Sequence, residues 1–133
     1  MTVSPDQTVT QAAQAMTQRL VGAAVVLDGS TVLGVVTERD ILQKVVAAGA
    51  PPETTRVRDI MSSPALCISL KTSVEEAAAL MREKHIRHLV VLDDRGALVG
   101  MLALRYLLYD LMDDLERNVG DLMGYIMTDG PGG

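Results

Sequence analysis

The pair Thr37 and Asp40 offers the clearest chemistry in this sequence. The two residues stand three apart in the segment GVVTERD, residues 34–40, where an apolar run ends and a helical pattern begins. One turn of helix brings their side chains to the same side. A carboxylate there can accept two hydrogen bonds from a vicinal diol, and the first-turn N–H groups favour a nearby anion. On the residues alone, a structural role is the stronger interpretation, with Thr37 as N-cap and Asp40 opposing the helix dipole.

Other kinds of chemistry have little support in the sequence. His85 and His88 are three apart, but the pattern ends a helix at His85 and begins a strand at His88, and no cysteine or carboxylate cluster joins them. No serine stands in a nucleophile elbow, and there is no glycine-rich phosphate loop. We therefore predict no catalytic residue, no metal site and no enzymatic activity.

The elements that must position Thr37 and Asp40 occur twice. Residues 8–16 (TVTQAAQAM) match residues 73–81 (SVEEAAALM), and VVLD at 25–28 matches VVLD at 90–93, both 65 residues apart. After one extra turn residue, GVVT at 34–37 matches GMLA at 100–103. A unit of about 60 residues is marginally stable alone, so we expect the copies to share one core.

Each copy predicts a helix, a strand, a hairpin turn, a second strand and a second helix. Thr8 with Gln11, and Ser73 with Glu76, form capping-box patterns that begin the first helices. Buried strands are predicted over 23–27 and 89–92, hairpin turns at 28–29 and 93–96, and return strands over 31–36 and 97–102. A helix over 38–48 ends at Gly49, and one short helical turn covers 57–61. The opening strands are 65–69 and its shortened counterpart 1–4.

Composition limits the class of protein. Hydrophobic residues make up 48% of the chain, with no Trp, no Phe and three Tyr, so the core must be aliphatic and methionine-rich. The net charge of −5 argues against a nucleic-acid surface. No apolar run approaches the length of a membrane span and no signal peptide is visible, so we expect a cytoplasmic protein. Cys67, the single cysteine, excludes an internal disulfide and is expected to be a buried strand thiol.

Residues 104–126 have apolar side chains at steps of three and four, which predicts a long amphipathic helix. Gly120 and Gly124 each weaken this helix by about 1 kcal/mol relative to alanine. Its first half is the last helix of the second copy, and its second half is a candidate surface for a partner chain. We assign 1–50 to a first repeat that is truncated at its N-terminus, 51–62 to a linker, 63–112 to the second repeat, 113–127 to a helical extension and 128–133 to a disordered tail.

The duplicated unit resembles a tandem pair of CBS domains, named after cystathionine β-synthase and often called a Bateman module. The resemblance covers about residues 3–111 and depends on GVVTERD at the end of a strand, with Ile41-Leu42 following it. It implies an α/β (α+β) fold of two pseudo-symmetric β-α-β-β-α repeats packed sheet to sheet, plus the long C-terminal helix.

The resemblance also implies a binding site for an adenosine-containing ligand, built from both repeats. In the family the Thr and Asp of the motif bind the ribose, the opening strand of the other repeat cradles the adenine, and basic residues before the second strand face the phosphate. Arginine offers a fork of donors that matches phosphate geometry. The implied residues are Thr37 and Asp40 for the ribose, Pro64, Ala65 and Leu66 for the adenine, and Arg39, Arg87 and His88 for the phosphate.

The second copy departs from the motif. Ala103 and Tyr106 stand where the first copy has Thr37 and Asp40. In the first copy, in turn, Gly22-Ala23 replaces Arg87-His88. We therefore expect one working site per chain, built around Asp40.

The resemblance implies a regulatory sensor of AMP, ADP, ATP, NAD or S-adenosylmethionine that needs no other cofactor and acts through an unidentified partner protein. It also implies a homodimer through the helices at 38–48 and from Leu104 onward. The alternative is a homodimerisation or protein-interaction module that functions without a ligand. Single-stranded nucleic acid is a third candidate, which the acidic charge and the scarcity of aromatic residues disfavour.

Overall fold

Two three-stranded sheets with the same strand order form the framework of the protein. The computed structural model describes residues 1–119, without the side chains of residues 114 and 116–119. The predicted features at Gly120, Gly124 and 128–133 lie outside the described residues, as does most of the extension 113–127. The first repeat contains β1 (Thr2–Val3), α1 (Val9–Arg19), β2 (Ala23–Asp28), β3 (Thr31–Thr37), α2 (Glu38–Ile41) and a π-helical turn (Leu42–Val46). The rest contains α3 (Val57–Ile60), β4 (Cys67–Ser69), α4 (Val74–Lys84), β5 (His88–Leu92), β6 (Leu98–Ala103) and α5 (Leu104–Val119).

The two sheets repeat each other in register as well as in order. In each, the short opening strand runs parallel to the central strand, and the central strand pairs antiparallel with the last. Thr2 pairs with Val25 and Cys67 pairs with Val90, which preserves the offset of 65 residues. Both hairpins have a bulge at the same place, after Val26 and after Val91. The predicted duplication and fold class are confirmed.

The helix boundaries follow from local chemistry. Thr8 and Gln11 form the predicted capping box at the start of α1, and Ser73 accepts a hydrogen bond from the Glu76 N–H at the start of α4. Both helices end on a residue in the left-handed region, Leu20 at φ 56° and His85 at φ 55°. These equivalent ends turn each chain into its central strand, so that β2 and β5 begin at corresponding positions.

Three groups of buried side chains make up the core. The first packs α1 against the outer face of the first sheet and includes Val57 and Ile60 of α3. The third packs α4 and α5 on the second sheet. The middle group joins the two sheets, with Val25 and Val35 of one against Val90 of the other. The sheets therefore pack face to face, and the helices lie outside, as expected. The repeat boundaries at 50 and 62 stay predictions.

Two local predictions were wrong. The helix over 38–48 is α-helical only as far as Ile41, and then widens into the π-helical turn, in which the Ala47 N–H bonds the Leu42 carbonyl. Cys67 is exposed, not buried. Side chains alternate along a strand, and because Leu66 and Ile68 pack in the core, Cys67 between them faces outward.

Candidate functional site

Thr37 and Asp40 lie at the junction of β3 and α2, where each caps the other. Thr37 Oγ1 accepts a hydrogen bond from the Asp40 backbone N–H at 3.1 Å, and Asp40 Oδ2 accepts one from the Thr37 backbone N–H at 2.9 Å. The Thr37 hydroxyl also donates to Asp40 Oδ2 at 3.1 Å. The helix cap that the local sequence favours is therefore present, and it fixes the carboxylate at the first turn of α2.

The second carboxylate oxygen of Asp40 faces other segments of the chain. Asp40 is 7% exposed, and its Oδ1 lies 3.1 Å from Lys44 Nζ and 3.4 Å from Ser62 Oγ. A buried carboxylate is costly unless it is paired and hydrogen-bonded, and here both oxygens have partners. Asp40 thus connects α2, the π-helical turn and the segment that leads into β4.

The segment over residues 60–64 is attached to the first repeat. The Val35 N–H donates to the Ser62 carbonyl at 3.0 Å, and the Ser62 N–H donates to the Val35 carbonyl at 2.9 Å. Ser63 Oγ donates to the Leu33 carbonyl at 2.8 Å. Gly34 permits this close approach, because a Cβ there would overlap the Ser62 carbonyl oxygen, whereas its counterpart Gly100 has open space around it. The backbone that precedes the predicted adenine-binding residues is therefore held on β3.

A cavity of about 280 Å³ opens between the two repeats beside Asp40. All the predicted site residues line it: Thr37, Arg39 and Asp40 from the first repeat, and Pro64, Ala65, Leu66, Arg87 and His88 from the second. The sequence prediction omitted further lining residues, namely Gly22, Val35, Glu38, Ser62, Lys84, His85 and Ile86. The cavity thus combines an apolar wall, a carboxylate and a group of basic side chains.

The basic side of the cavity is formed by the end of α4 and the start of β5. Lys84, His85 and Arg87 are exposed there, and Arg39 adds a positive charge from α2. Burial lowers the pKa of His88 below its ordinary value, and the neighbouring charges of Arg105 and Arg87 lower it further, against the opposing effect of Glu38. His88 is therefore neutral at pH 7, and it presents an imidazole that can donate through one ring nitrogen.

The corresponding place in the second repeat has a different character. Tyr106 occupies the position of Asp40, is half exposed, and its ring lies 5.2 Å from the Arg105 guanidinium carbon. Arg105 in turn donates to the Leu20 carbonyl at the end of α1. No carboxylate stands at this junction, as the sequence predicts.

Lys44 and Ser62 are the polar residues beside Asp40 that sequence reasoning missed. The spacing of Lys44, four residues after Asp40, is a signal that could have identified it, because residues i and i+4 of a helix face each other. Ser62 and Lys84 gave no such signal, since they reach the cavity only through the packing of one repeat on the other.

The same residues 1–119 give two further results. They contain no group of three or more side chains that could hold a metal ion. None of their helices is long and apolar enough to cross a membrane.

Comparisons with known proteins agree on one family. The model of the CBS domain matches residues 1–47 and 57–113. An uncharacterized protein of Methanopyrus kandleri is 36% identical over 109 residues, which are 81% of this chain and 56% of that protein. The chain therefore spans little more than half the length of this relative.

Solved structures give the same result. A signal-transduction protein with CBS domains from Burkholderia ambifaria superposes with a TM-score of 0.81 at 36% identity, covering 85% of this chain and 82% of that one. A CBS domain protein of Pyrobaculum aerophilum, in complex with AMP, superposes with a TM-score of 0.73 at 30% identity, covering 85% and 91%. From its duplicated sheets, its family match in both repeats and these neighbours, the chain belongs to the CBS domain family.

Proposed function

We propose that this chain is a regulatory module that senses an adenosine nucleotide in the cavity between its repeats. The observation that supports this most is the convergence of three kinds of group on one cavity: the Asp40 carboxylate, the apolar wall at 64–66 and the basic end of α4. These are the groups that a ribose diol, an adenine ring and a phosphate each require. The AMP complex of the Pyrobaculum relative supports the same ligand class.

The three parts of the ligand have distinct partners in this proposal. Asp40 and Thr37 bind the ribose hydroxyls, and Pro64, Ala65 and Leu66 enclose the adenine with aliphatic carbon and backbone groups. Arg39, Arg87 and His88 bind the phosphate. Arg87 provides a planar fork of donors, and neutral His88 provides one N–H.

The charges in the cavity favour a ligand that carries phosphate. Arg39, Lys84 and Arg87 are positively charged, whereas Glu38 and Asp40 are the acidic residues of the lining. Asp40 is already paired with Lys44. Because positive charge predominates, AMP, ADP, ATP or NAD fits the cavity better than the cationic S-adenosylmethionine.

The module has a regulatory and not a catalytic role in this proposal. A ligand that touches both repeats can alter their relative placement, and the change would be transmitted to a partner protein. Its effect is limited by the difference in its affinity for the two arrangements. The identity of that partner and a cytoplasmic location stay predictions.

Thermal-shift titration with AMP, ADP, ATP, NAD and S-adenosylmethionine, after refolding from denaturant to remove bound ligand, tests the proposal. A phosphate-bearing ligand at about 100 times its dissociation constant should stabilise the protein by about 2.7 kcal/mol. Absence of a shift with every ligand would contradict it.

A ligand-independent homodimerisation module is the second candidate, and the surface supports it. Most of the large apolar side chains that are exposed among the described residues lie on the π-helical turn and α5, namely Leu42, Val46, Tyr106, Leu108, Tyr109, Leu111 and Leu115. A second copy could cover this face, in an isologous dimer. Light scattering that finds the same dimer with and without nucleotide, together with no thermal shift, would favour this function over sensing.

A further inference from the structure

Lys44 bridges two walls of the cavity although it does not line it. Its Nζ lies 3.1 Å from Asp40 Oδ1 and donates to the Ile60 carbonyl at 2.8 Å. The lysine side chain is 43% exposed and the aspartate side chain 9%. One ammonium group therefore connects the carboxylate of α2 to the backbone that leads, through Ser62, into residues 64–66.

The hydrogen bonds of Asp40 leave no acceptor position free for a ligand. A carboxylate has about four acceptor sites. In this structure Oδ2 accepts from the Thr37 N–H and the Thr37 hydroxyl, and Oδ1 accepts from Lys44 Nζ and the Ser62 hydroxyl. Two of these donors are N–H groups and two are hydroxyls, so a diol can bind only by displacing some of them.

The two hydroxyl donors are the ones that a diol can replace in kind. The Ser62 hydroxyl is the most distant of the four, at 3.4 Å, which is well beyond the usual O–H···O distance of about 2.7–2.8 Å. The Lys44 ammonium forms a charge-assisted bond and is also anchored on Ile60. After exchange, the Thr37 N–H and Lys44 would still hold the carboxylate, each on a different oxygen.

The two repeats differ at both positions of this pair. The counterpart of Lys44 in the second repeat is Asp110, and the counterpart of Asp40 is Tyr106, each 66 residues further on. The lysine is therefore present only in the repeat that has the aspartate.

From these contacts we propose that Lys44 is a positioning residue, which orients the Asp40 carboxylate toward a vicinal diol and so determines the preference for ribose over deoxyribose. This inference rests on the proposed function, because it concerns the same cavity. Lys44 acts through Asp40, and it does not contact the ligand. Loss of Lys44 should therefore weaken the part of the affinity that depends on the diol.

The experiment compares ATP and 2′-deoxyATP by isothermal titration calorimetry. The parent protein should bind ATP about tenfold more tightly than 2′-deoxyATP, the value of one hydrogen bond to a charged acceptor. In Lys44→Met this ratio should fall toward one, and in Lys44→Arg, which retains the charge and the donors, it should persist. Lys71→Met removes an exposed lysine that does not line the cavity and should keep the parental ratio.

The possible outcomes separate this inference from the proposed function. If Lys44→Met weakens ATP and 2′-deoxyATP by the same factor, Lys44 has only a structural role and the inference is wrong. If the parent binds ATP but does not distinguish the two ligands, the inference is again wrong while nucleotide sensing stands. If the parent binds neither, both fail. Should Lys44→Met not fold, Lys44→Gln, which keeps a donor without the charge, provides the same comparison.

Discussion

Asp40→Asn tests the assignment of the ribose-binding carboxylate with the least change in shape. Both carboxylate oxygens accept from an N–H donor, Oδ2 from Thr37 and Oδ1 from Lys44. An amide has one oxygen, so its NH₂ group must face one of these donors in either orientation. The variant therefore loses a hydrogen bond in a buried place, and we expect the free energy of unfolding without ligand to fall by about 1–3 kcal/mol.

The effect of Asp40→Asn on binding should be larger than the loss of one ordinary hydrogen bond. The diol would lose one acceptor and the charge on the other, which together amount to about 2–3 kcal/mol, or about a 30- to 150-fold weaker affinity. At 100 times the parental dissociation constant, the parent gains about 2.7 kcal/mol, which is about 10 °C in melting temperature. With a 100-fold weaker affinity, the variant gains about 0.4 kcal/mol, a shift of about 1–2 °C.

Differential scanning fluorimetry with and without nucleotide measures both effects in one protein. The ligand-induced shift is compared within each variant, so that the lower starting stability of Asp40→Asn does not enter the comparison. Asp59→Asn removes the same charge from an exposed residue of α3 that does not line the cavity, and it should keep the full shift. A parental shift in Asp40→Asn would show that the ribose contact has been assigned to the wrong residue.

Three further predictions concern packing, pH and association. Gly34→Ala should lower the free energy of unfolding by about 1–3 kcal/mol in urea denaturation, because its Cβ would overlap the Ser62 carbonyl, whereas Gly100→Ala should be nearly neutral; equal effects would contradict this. The lowered pKa of His88 favours its neutral form in the fold, so parental stability should hold above the unfolded pKa of about 6.5 and decline as pH falls below it. His88→Gln should flatten that decline between pH 8 and 5.5, and an unchanged profile would refute the assignment. Val46→Glu should convert a dimer to a monomer in light scattering, whereas Val99→Glu, equally exposed on β6, should not.

Much of the fold could be predicted because duplication supplies two readings of each element. The capping residues Thr8 and Ser73, the turn glycines and the apolar strands recur at one spacing, so each element in one copy supports its counterpart. The exceptions depend on information that does not repeat. The widening of the helix after Ile41 has no sequence marker, and the side of the strand on which Cys67 lies depends on the positions of Leu66 and Ile68.

The site could be predicted only in part, because the motif and the packing contribute different residues. Thr37 and Asp40 stand out through their spacing, and the resemblance supplied the remaining candidates. The role of residues 60–64 depends on Gly34, since only the absence of a side chain lets that segment reach β3. Sequence reasoning treated residues 51–62 as a linker, and nothing in their composition indicates that Ser62 reaches Asp40.

The structural and functional interpretations of Thr37 and Asp40 are compatible, and the geometry explains why. The helix cap uses the backbone N–H of Thr37 and of Asp40, and a bound diol leaves these two bonds in place. The bonds that a diol would replace come from the Thr37 and Ser62 hydroxyls, which contribute little to the cap. A carboxylate held by N–H donors and covered by hydroxyl donors is stable without ligand and can accept one without unfolding the first turn of α2. For this reason a loss of stability in an Asp40 variant does not count for or against binding, and only the response to ligand distinguishes the two roles.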